Sequence, residues 1–183
     1  MQKLCKFIFR LIGWKAIGEV VPDKKCIFAG VPHTSAWDFV VSWIFYKSLG
    51  GKANILIKKE FFFWPLGFFI KKMGGIPIDR SKGVNVVRQV IRLFNERDYM
   101  QLAITPEGTR KRTTRWKGGF HIIARTAGIP VYPVTFDWGR KEITIWDKFS
   151  LSDDQENDIR RLKDFFRDKN IKGKHPDQFT TDY

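Results

Sequence analysis

Residues 24–41 read KKCIFAGVPHTSAWDFVV. The apolar run up to Pro32 predicts a short buried strand. From Ser35 to the next glycine pair, the spacing of apolar residues predicts a helix. His33 therefore stands at the carboxyl end of a strand, and Asp38 follows in the first turn of a helix.

The same alternation of strand and helix continues along the chain. Further strands are predicted at 53–59, 74–80, 100–105, 129–136 and 142–146, and further helices at 60–73, 84–97, 118–127 and 152–169. Strands that alternate with helices predict a single α/β domain, built on a central mixed, largely parallel sheet with helices on its faces.

Two terminal segments flank this domain, which we place at residues 18–172. Residues 1–17 predict a short amphipathic helix, since the basic side chains fall on one stripe and apolar side chains occupy much of the rest. That helix is either an edge helix packed on the core or a membrane-surface anchor whose basic face meets anionic headgroups. Residues 173–183 are polar and predict a flexible tail.

Charge and aromatic content restrict the partners. Lys and Arg number 33 against 19 Asp and Glu, a formal net charge of +14, and aromatic residues make up 15% of the chain. The positive charge favours an anionic partner, and the aromatic excess favours a membrane surface over nucleic acid. No nucleic-acid-binding motif is recognisable, so we expect no nucleic-acid partner.

Attachment to a membrane without crossing it is the prediction. The longest apolar run, FFFWPLGFFI at Phe61–Ile70, is far shorter than the roughly 20 residues that span a bilayer. Lysine pairs bracket this run, as expected of an interfacial element. No signal peptide or disulfide framework is recognisable, so we expect a peripheral, monotopic protein on the cytoplasmic face. The side chains predicted to contact the membrane are Phe61, Phe62, Phe63, Trp64, Phe68 and Phe69.

Asp38 admits two interpretations. Ser35 and Asp38 have the spacing of a capping box, in which case Asp38 serves the helix and His33 is only a loop residue. Alternatively, the carboxylate reaches back to one imidazole nitrogen and fixes the tautomer, which leaves the other nitrogen free to accept a proton. The carboxyl end of a strand is where open α/β sheets place their sites, but the spacing alone leaves both interpretations open.

Three further motifs follow along the chain. GGIPIDR ends in Arg80, whose guanidinium can bind a phosphate through two parallel hydrogen bonds. TPEGTR sets a turn from which Glu107 and Arg110 project, either to pair with each other or to bind a polar headgroup. GIPVYPV is a strand bounded by prolines and is more typical of a pocket wall than of a catalytic group.

Taken together and in this order, the blocks H-x-x-x-x-D, G-G-I-x-x-x-R, P-E-G-T-R and G-I-P-x-x-P-V resemble those of the glycerolipid acyltransferase family, of the 1-acylglycerol-3-phosphate (lysophosphatidate) acyltransferase type. The resemblance spans about Cys26 to Phe136. One departure is Thr105, since relatives usually have an aromatic residue before the proline of the third block. This departure and the missing full-length hydrophobic anchor leave the exact acceptor open.

The resemblance implies a role for each matching residue. His33 would be the general base, Asp38 its orienting partner and Arg80 the ligand of the acceptor phosphate. The residues implied in binding the acceptor headgroup are Glu107, Gly108, Thr109 and Arg110. The residues implied as a wall of the acyl or acceptor pocket are Pro130, Val131 and Pro133.

The implied reaction moves a fatty acyl group from an acyl thioester, acyl-CoA or acyl carrier protein, to the hydroxyl of a lysophospholipid-type acceptor. Direct transfer without an acyl-enzyme is expected, because a base can activate the hydroxyl itself. No bound cofactor or metal is expected. Oxyanion donors are expected among backbone N–H groups near the start of the His33 helix.

Other functions remain open from the residues. The acceptor could be another lipid or a small alcohol or amine. A basic non-enzymatic module could bind membranes or nucleic acid. An esterase or thioesterase would use water as acceptor, although no G-x-S-x-G motif is present.

Overall fold

Within residues 1–79 and 83–183, which the computed structural model describes, seven strands form one sheet. The strands are β1 (Lys15–Ile17), β2 (Lys25–Val31), β3 (Asn54–Lys58), β4 (Gly75–Ile78), β5 (Met100–Ile104), β6 (Val131–Asp137) and β7 (Glu142–Ile145). Their order is β1-β7-β6-β2-β5-β3-β4. Each neighbouring pair from β6 to β4 is parallel, whereas β7 runs antiparallel to β6. The predicted mixed, largely parallel α/β sheet is confirmed.

Helices cover both faces of the sheet. They are α1 (Gln2–Leu11), α2 (Trp37–Leu49), α3 (Leu66–Lys72), α4 (Gly83–Glu96), α5 (Gly119–Ala127) and α6 (Gln155–Asp168). Successive side chains of a strand point to opposite faces, so the core divides into two clusters. Ile27 and Ala29 of β2 pack with residues of α4, α5 and α6, whereas Cys26 and Phe28 pack with residues of α1 and α2.

The parallel strands bring three loops to one edge of the sheet. β6, β2 and β5 are neighbours and run in the same direction, so their carboxyl ends lie side by side. Every residue of β2 after Lys25 is buried, as expected of a central strand covered on both faces. The chain leaves these strands through His33 after β2, Glu107 after β5 and Trp138 after β6.

The N-terminal segment differs from the predicted single helix over residues 1–17. α1 ends at Leu11, and residues 15–17 form the edge strand β1, which pairs in parallel with β7. Gly13 has φ +79°, a conformation that favours glycine and that a helix cannot contain. The chain therefore turns at Gly13 and joins the sheet.

The aromatic segment is less helical than the prediction of a helix over residues 60–73. A 3₁₀ turn spans Lys59–Phe61, and α3 begins only after Pro65. Proline lacks a backbone N–H and suits the start of a helix rather than its interior. Gly67 allows the chain to fold back, since a Cβ there would lie 2.7 Å from the backbone carbonyl of Phe62.

The start of α6 differs from the prediction, and the C-terminal tail makes contacts with the rest of the domain. α6 begins at Gln155 rather than at the predicted residue 152, and Asp154 caps it, because its side chain accepts the Asn157 N–H at 3.0 Å. The predicted flexible tail packs against the domain. The buried Lys163 donates to the Asp182 carbonyl at 2.6 Å, and Thr180 is buried.

Candidate active site

Asp38 is the centre of the turn that joins β2 to α2. Its Oδ2 accepts the backbone N–H groups of Thr34 and Ser35, each at 2.8 Å, and lies 3.1 Å from His33 Nδ1. Its Oδ1 accepts the indole N–H of Trp138 at 2.7 Å. Asp38 therefore does what both interpretations of the sequence proposed: it satisfies the backbone N–H groups that precede α2, and it holds the imidazole.

The contact with Asp38 selects one tautomer of His33. A carboxylate can only accept a hydrogen bond, so Nδ1 carries the proton and Nε2 keeps its lone pair. Asp38 is 2% exposed, whereas the side chain of His33 is 25% exposed. The imidazole is partly exposed, and a buried carboxylate holds its Nδ1. Its Nε2 can therefore remove a proton from a hydroxyl that enters the site.

The hydroxyl of Ser35 lies beside the first turn of α2, whose N-cap position is Ala36. It accepts the Trp37 N–H at 3.2 Å, and Ser35 is buried, so the hydroxyl has a local structural task rather than that of a nucleophile. In the described ranges, 1–79 and 83–183, His, Cys, Asp and Glu side chains form no group of three that could hold a metal ion.

The expected oxyanion donors are engaged within the protein. Hydrogen bonds to Glu107, Asp38 and Ser35 occupy the backbone N–H groups of His33, Thr34, Ser35 and Trp37. The expectation that N–H groups near the start of α2 face an oxyanion is therefore wrong for these four. Their task in this structure is to fix the turn that holds His33.

Glu107 contacts the backbone of His33. Both of its carboxyl oxygens lie within reach of the His33 N–H, at 3.0 and 3.1 Å, and the side chain is buried. The turn that carries it is closed by the Gly108 N–H, which donates to the Thr105 carbonyl at 3.0 Å. Proline at the second position and glycine at the fourth suit such a turn. Glu107 thus links the loop after β5 to the loop after β2.

Burial raises the pKa of Glu107 to about 8. The hydrogen bond from the His33 N–H opposes this rise in pKa, and the neighbouring Asp38 carboxylate adds to it. At neutral pH Glu107 is therefore mostly protonated, and the pair of carboxyl groups beside His33 carries less negative charge than two free carboxylates would.

The stability of the protein is expected to fall between about pH 5 and pH 8 relative to that of a Glu107→Gln variant. The folded-state pKa of about 8 exceeds the ordinary value of 4.5, so in this window the folded protein keeps a proton that the unfolded chain has released. Raising the pH across this window therefore lowers the free energy of unfolding, by on the order of a few kcal/mol. Chemical denaturation at several pH values measures the difference, and parallel pH profiles for the two proteins would contradict it.

The remaining residues of the third motif stand on the same loop as Glu107. Thr109 Oγ1 accepts the Lys111 N–H at 3.1 Å, and the side chain of Arg110 is exposed. Gly108 has φ +67° and is exposed. The structure thus brings this loop to the edge of the sheet where His33 lies. Arg80, the predicted phosphate ligand, lies outside the described residues.

The strand predicted as a pocket wall begins at the opposite edge. Val131 pairs with Ile27 near the start of β2, and Pro133 pairs with Ala29 in the middle of the sheet, whereas His33 follows the end of β2. Pro130 and Val131 line a separate hollow beside the end of α5. The structure does not bring these three predicted residues together with His33, because parallel pairing separates the two ends of β6.

An apolar pocket lies between α2 and the sheet. Its lining includes Gly30 and Ala103 from central strands, Trp43 from α2 and Met73 after α3. A Cβ at Gly30 would lie 2.7 Å from ring atoms of Phe136, so the absence of a side chain lets that ring pack against the backbone of β2 at the pocket wall. The pocket has the character required to receive a hydrocarbon chain.

Trp138 is the residue that the sequence interpretation missed. It follows β6 directly, and its indole orients Asp38 from a neighbouring strand. The sequence did contain a signal for it: Trp138 follows a predicted strand, and residues at the carboxyl ends of parallel strands share one edge of the sheet. The strand order that makes β6 a neighbour of β2 could not be read from the local sequence.

A match to a family model defines the class of this protein as acyltransferase. The chain belongs to the Acyltransferase family, whose model matches residues 15–137, and the resemblance drawn from the motifs is thereby confirmed. It is similar to the crystal structure of the 1-acyl-sn-glycerophosphate (LPA) acyltransferase PlsC from Thermotoga maritima, with a TM-score of 0.61 and 18% identity over 92% of this chain and 76% of that chain. At this identity the likeness shows the fold. No curated protein sequence matches the chain significantly.

Proposed function

We propose that this enzyme transfers a fatty acyl group from an acyl thioester to the hydroxyl of a lysophospholipid-type acceptor, most directly 1-acylglycerol-3-phosphate. The observation that carries the proposal is the His33–Asp38 pair, 3.1 Å apart, with a buried carboxylate and a partly exposed imidazole. The acceptor is the one named for the structurally similar PlsC. The basic side chains around the site favour a phosphate-bearing acceptor.

His33 would act as a general base in direct transfer. Nε2 takes the acceptor hydroxyl proton as the oxygen attacks the thioester carbonyl. The tetrahedral intermediate then collapses, the C–S bond breaks, and the thiolate leaves with the proton from the imidazolium. Asp38 keeps Nδ1 protonated throughout and stabilises the positive charge on the ring. The sequence of steps needs no covalent acyl-enzyme.

Positive side chains near the site would bind the phosphate groups of the substrates. Arg80 remains the proposed ligand of the acceptor phosphate on the strength of its motif. Next to Glu107, an exposed basic cluster is available for the acceptor phosphate or the phosphates of the donor. The members of this cluster are Arg110, Lys111, Arg112, Arg115 and Lys117. The apolar pocket beneath α2 would take the acyl chain.

Apolar and basic side chains lie exposed together on α1 and on the aromatic segment. Within the described chain, every helix is too short or too polar to cross a membrane. α1 buries Cys5 and Phe9, leaves Ile8 half-buried and exposes three large apolar side chains. Those side chains are Leu4, Phe7 and Leu11. The exposed members of the predicted membrane-contact set are Phe61, Phe63, Trp64, Phe68 and Phe69, and Phe62 is half-buried.

This exposure supports the proposed peripheral attachment to an anionic membrane, and the cytoplasmic face remains part of the proposal. Trp64 is 87% exposed, and the flanking lysines are exposed as well. Aromatic rings with basic neighbours suit the interface between headgroups and hydrocarbon. The acceptor lipid would then reach the site from the membrane that holds the enzyme.

Replacing Phe63 and Trp64 together with serine is expected to lower partitioning onto anionic vesicles by about tenfold or more, since each large apolar side chain gains on the order of 1–2 kcal/mol on leaving water. Cosedimentation with vesicles measures the change. Ile122→Ser is the matched control, because Ile122 is 44% exposed but lies on α5, on the opposite face of the sheet. Equal binding by the two variants would place the membrane contact elsewhere.

A thiol-release assay tests the proposed reaction. Purified protein is given acyl-CoA or acyl carrier protein with one of four acceptors: 1-acylglycerol-3-phosphate, glycerol 3-phosphate, a zwitterionic lysolipid or water alone. Release that depends on 1-acylglycerol-3-phosphate, with a diacyl product by mass, supports the proposal. Release with water alone supports a thioesterase, and transfer only to another acceptor replaces the proposed substrate.

A further inference from the structure

A C-terminal segment outside the matched family residues contacts both loops of the site. The family model ends at residue 137, whereas residues 172–178 lie far beyond it in the chain. We call residues 172–178 the C-terminal strap. It begins by accepting the backbone N–H of Trp138 on the Lys172 carbonyl at 2.9 Å. The strap therefore starts at the loop after β6 and runs on toward His33.

The strap holds Thr34, which lies next to the proposed base. The His175 N–H donates to Thr34 Oγ1 at 3.2 Å, and Thr34 is 3% exposed. Gly173 is buried so closely that a Cβ there would lie 2.7 Å from Thr34 Cγ2. The Thr34 N–H meanwhile donates to Asp38. Whatever fixes Thr34 therefore also fixes the pair formed by His33 and Asp38.

Gln178 joins the two loops directly. Its carboxamide end faces the carbonyl oxygens of Arg110 and Thr34, so we assign the orientation in which the NH₂ group points at them. In that orientation the NH₂ group donates to the Arg110 carbonyl at 2.7 Å and to the Thr34 carbonyl at 3.3 Å. Glu107 makes a second link between the same loops, through the His33 N–H. Two hydrogen-bonded links thus join these loops, and Gln178 supplies one of them from a distant part of the sequence.

Lys174 brings the strap against both tryptophans beside Asp38. Its ammonium lies 5.2 Å from the ring centre of Trp37 and 5.0 Å from that of Trp138. Trp138 is also the indole donor to Asp38. The cation–π contact of Lys174 holds the Trp138 ring in place. Because Trp138 donates to Asp38, the strap supports the Asp38 carboxylate as well as the loop that carries His33.

We propose that the C-terminal strap is a positioning element of the active site, with Gln178 as its main positioning residue. This inference rests on the proposed function, since it assigns the strap to the same His33–Asp38 pair. Reacting groups must be placed to within about 1 Å, because a displacement of that size can cost about 100-fold in rate. The strap supplies this placement by joining the loop of His33 to the loop of Arg110.

Gln178→Glu tests the proposal, because a carboxylate cannot donate and would face two carbonyl oxygens. We expect kcat to fall about 10- to 100-fold with little change in KM for either substrate. Asn95→Asp is the matched control. It makes the same amide-to-carboxylate change at an exposed position at the end of α4, near the opposite edge of the sheet. The control is expected to keep the wild-type kcat.

Imidazole NMR signals supply a readout that does not depend on the substrate. The chain has three histidines, so a His33→Asn spectrum identifies the signals of His33. Gln178→Glu is expected to move the His33 signals and leave those of His121 in place, whereas Asn95→Asp moves neither. A general loss of packing would instead disturb His121 and lower Tm.

Gly173→Ala is the second variant, because its methyl group would displace Thr34 without adding charge. It is expected to lower kcat and to move the same His33 signals. If both strap variants keep wild-type kcat and unmoved His33 signals, the positioning role is refuted. If wild type fails to acylate 1-acylglycerol-3-phosphate, the proposed function fails, but the His33 signals still decide the role of the strap.

Discussion

His33→Ala is expected to lower kcat for acyl transfer by about 10²–10⁴-fold or more, to the limit of detection. The alcohol of the acceptor is a weak nucleophile at neutral pH, and the substitution removes the group proposed to take its proton. Asp38 would keep its bonds to the Thr34 and Ser35 N–H groups. The turn should therefore survive, and the loss should fall on kcat. Steady-state kinetics with the thiol-release assay measures it.

A second histidine–aspartate pair provides the control for this variant. His121 Nε2 also lies 3.1 Å from a carboxylate, that of Asp158, but its side chain is only 7% exposed. The same imidazole bonds the Ser152 carbonyl, so His121 ties α5 to the segment before α6. His121→Asn should therefore lower Tm and leave the kcat of the folded enzyme near that of wild type. Retention of most activity by His33→Ala, with normal Tm, would remove His33 from the role of base.

Asp38→Asn is expected to cost both rate and stability. The carboxylate accepts from the backbone N–H groups of Thr34 and Ser35, the ring of His33 and the indole of Trp138. An amide has one oxygen for these donors, so its NH₂ must face at least one of them. An unsatisfied buried donor costs about 1–3 kcal/mol. The lost preference for one imidazole tautomer should lower kcat by about 10²–10⁴-fold.

Kinetics and denaturation together check this second prediction. The loss of stability should appear as a lower denaturation midpoint, and the loss of rate should persist at temperatures where the variant is fully folded. Trp138→Phe is a graded comparison, because it removes the indole donor to Asp38 Oδ1, leaves the three donors to Oδ2 in place and should cost less on both measures. A variant with wild-type kcat and an altered Tm would assign Asp38 to the cap of α2 alone.

Local patterns predicted the strand–turn–helix unit around His33 well. The apolar run of β2, the turn after Pro32 and the helix after Ser35 involve neighbours in the chain, so their physics is visible in the sequence. The spacing of His33 and Asp38 was likewise local, and the structure shows the contact that it allowed. The boundaries of α1 and α3 were less predictable, because Gly13 and Pro65 act through backbone conformation at single positions.

The environment of Glu107 could not be predicted in this way. The motif indicated a turn, and either a pair with Arg110 or a headgroup contact was open. Whether its carboxyl group meets solvent or the His33 backbone depends on β5 being the neighbour of β2. The pKa of about 8 follows from that burial and has no counterpart in the local sequence.

The amino-acid pattern alone determined the features that depend on neighbours in the chain: an α/β domain, a histidine before a helix with an aspartate in the first turn of that helix, and a basic, aromatic composition. Only packing across the sheet decided that Trp138 orients Asp38, that Glu107 is buried under His33 and that the tail reaches Thr34. The physical reason is that residues far apart in the chain meet through strand order, and strand order is set by the burial of whole faces rather than by any short stretch.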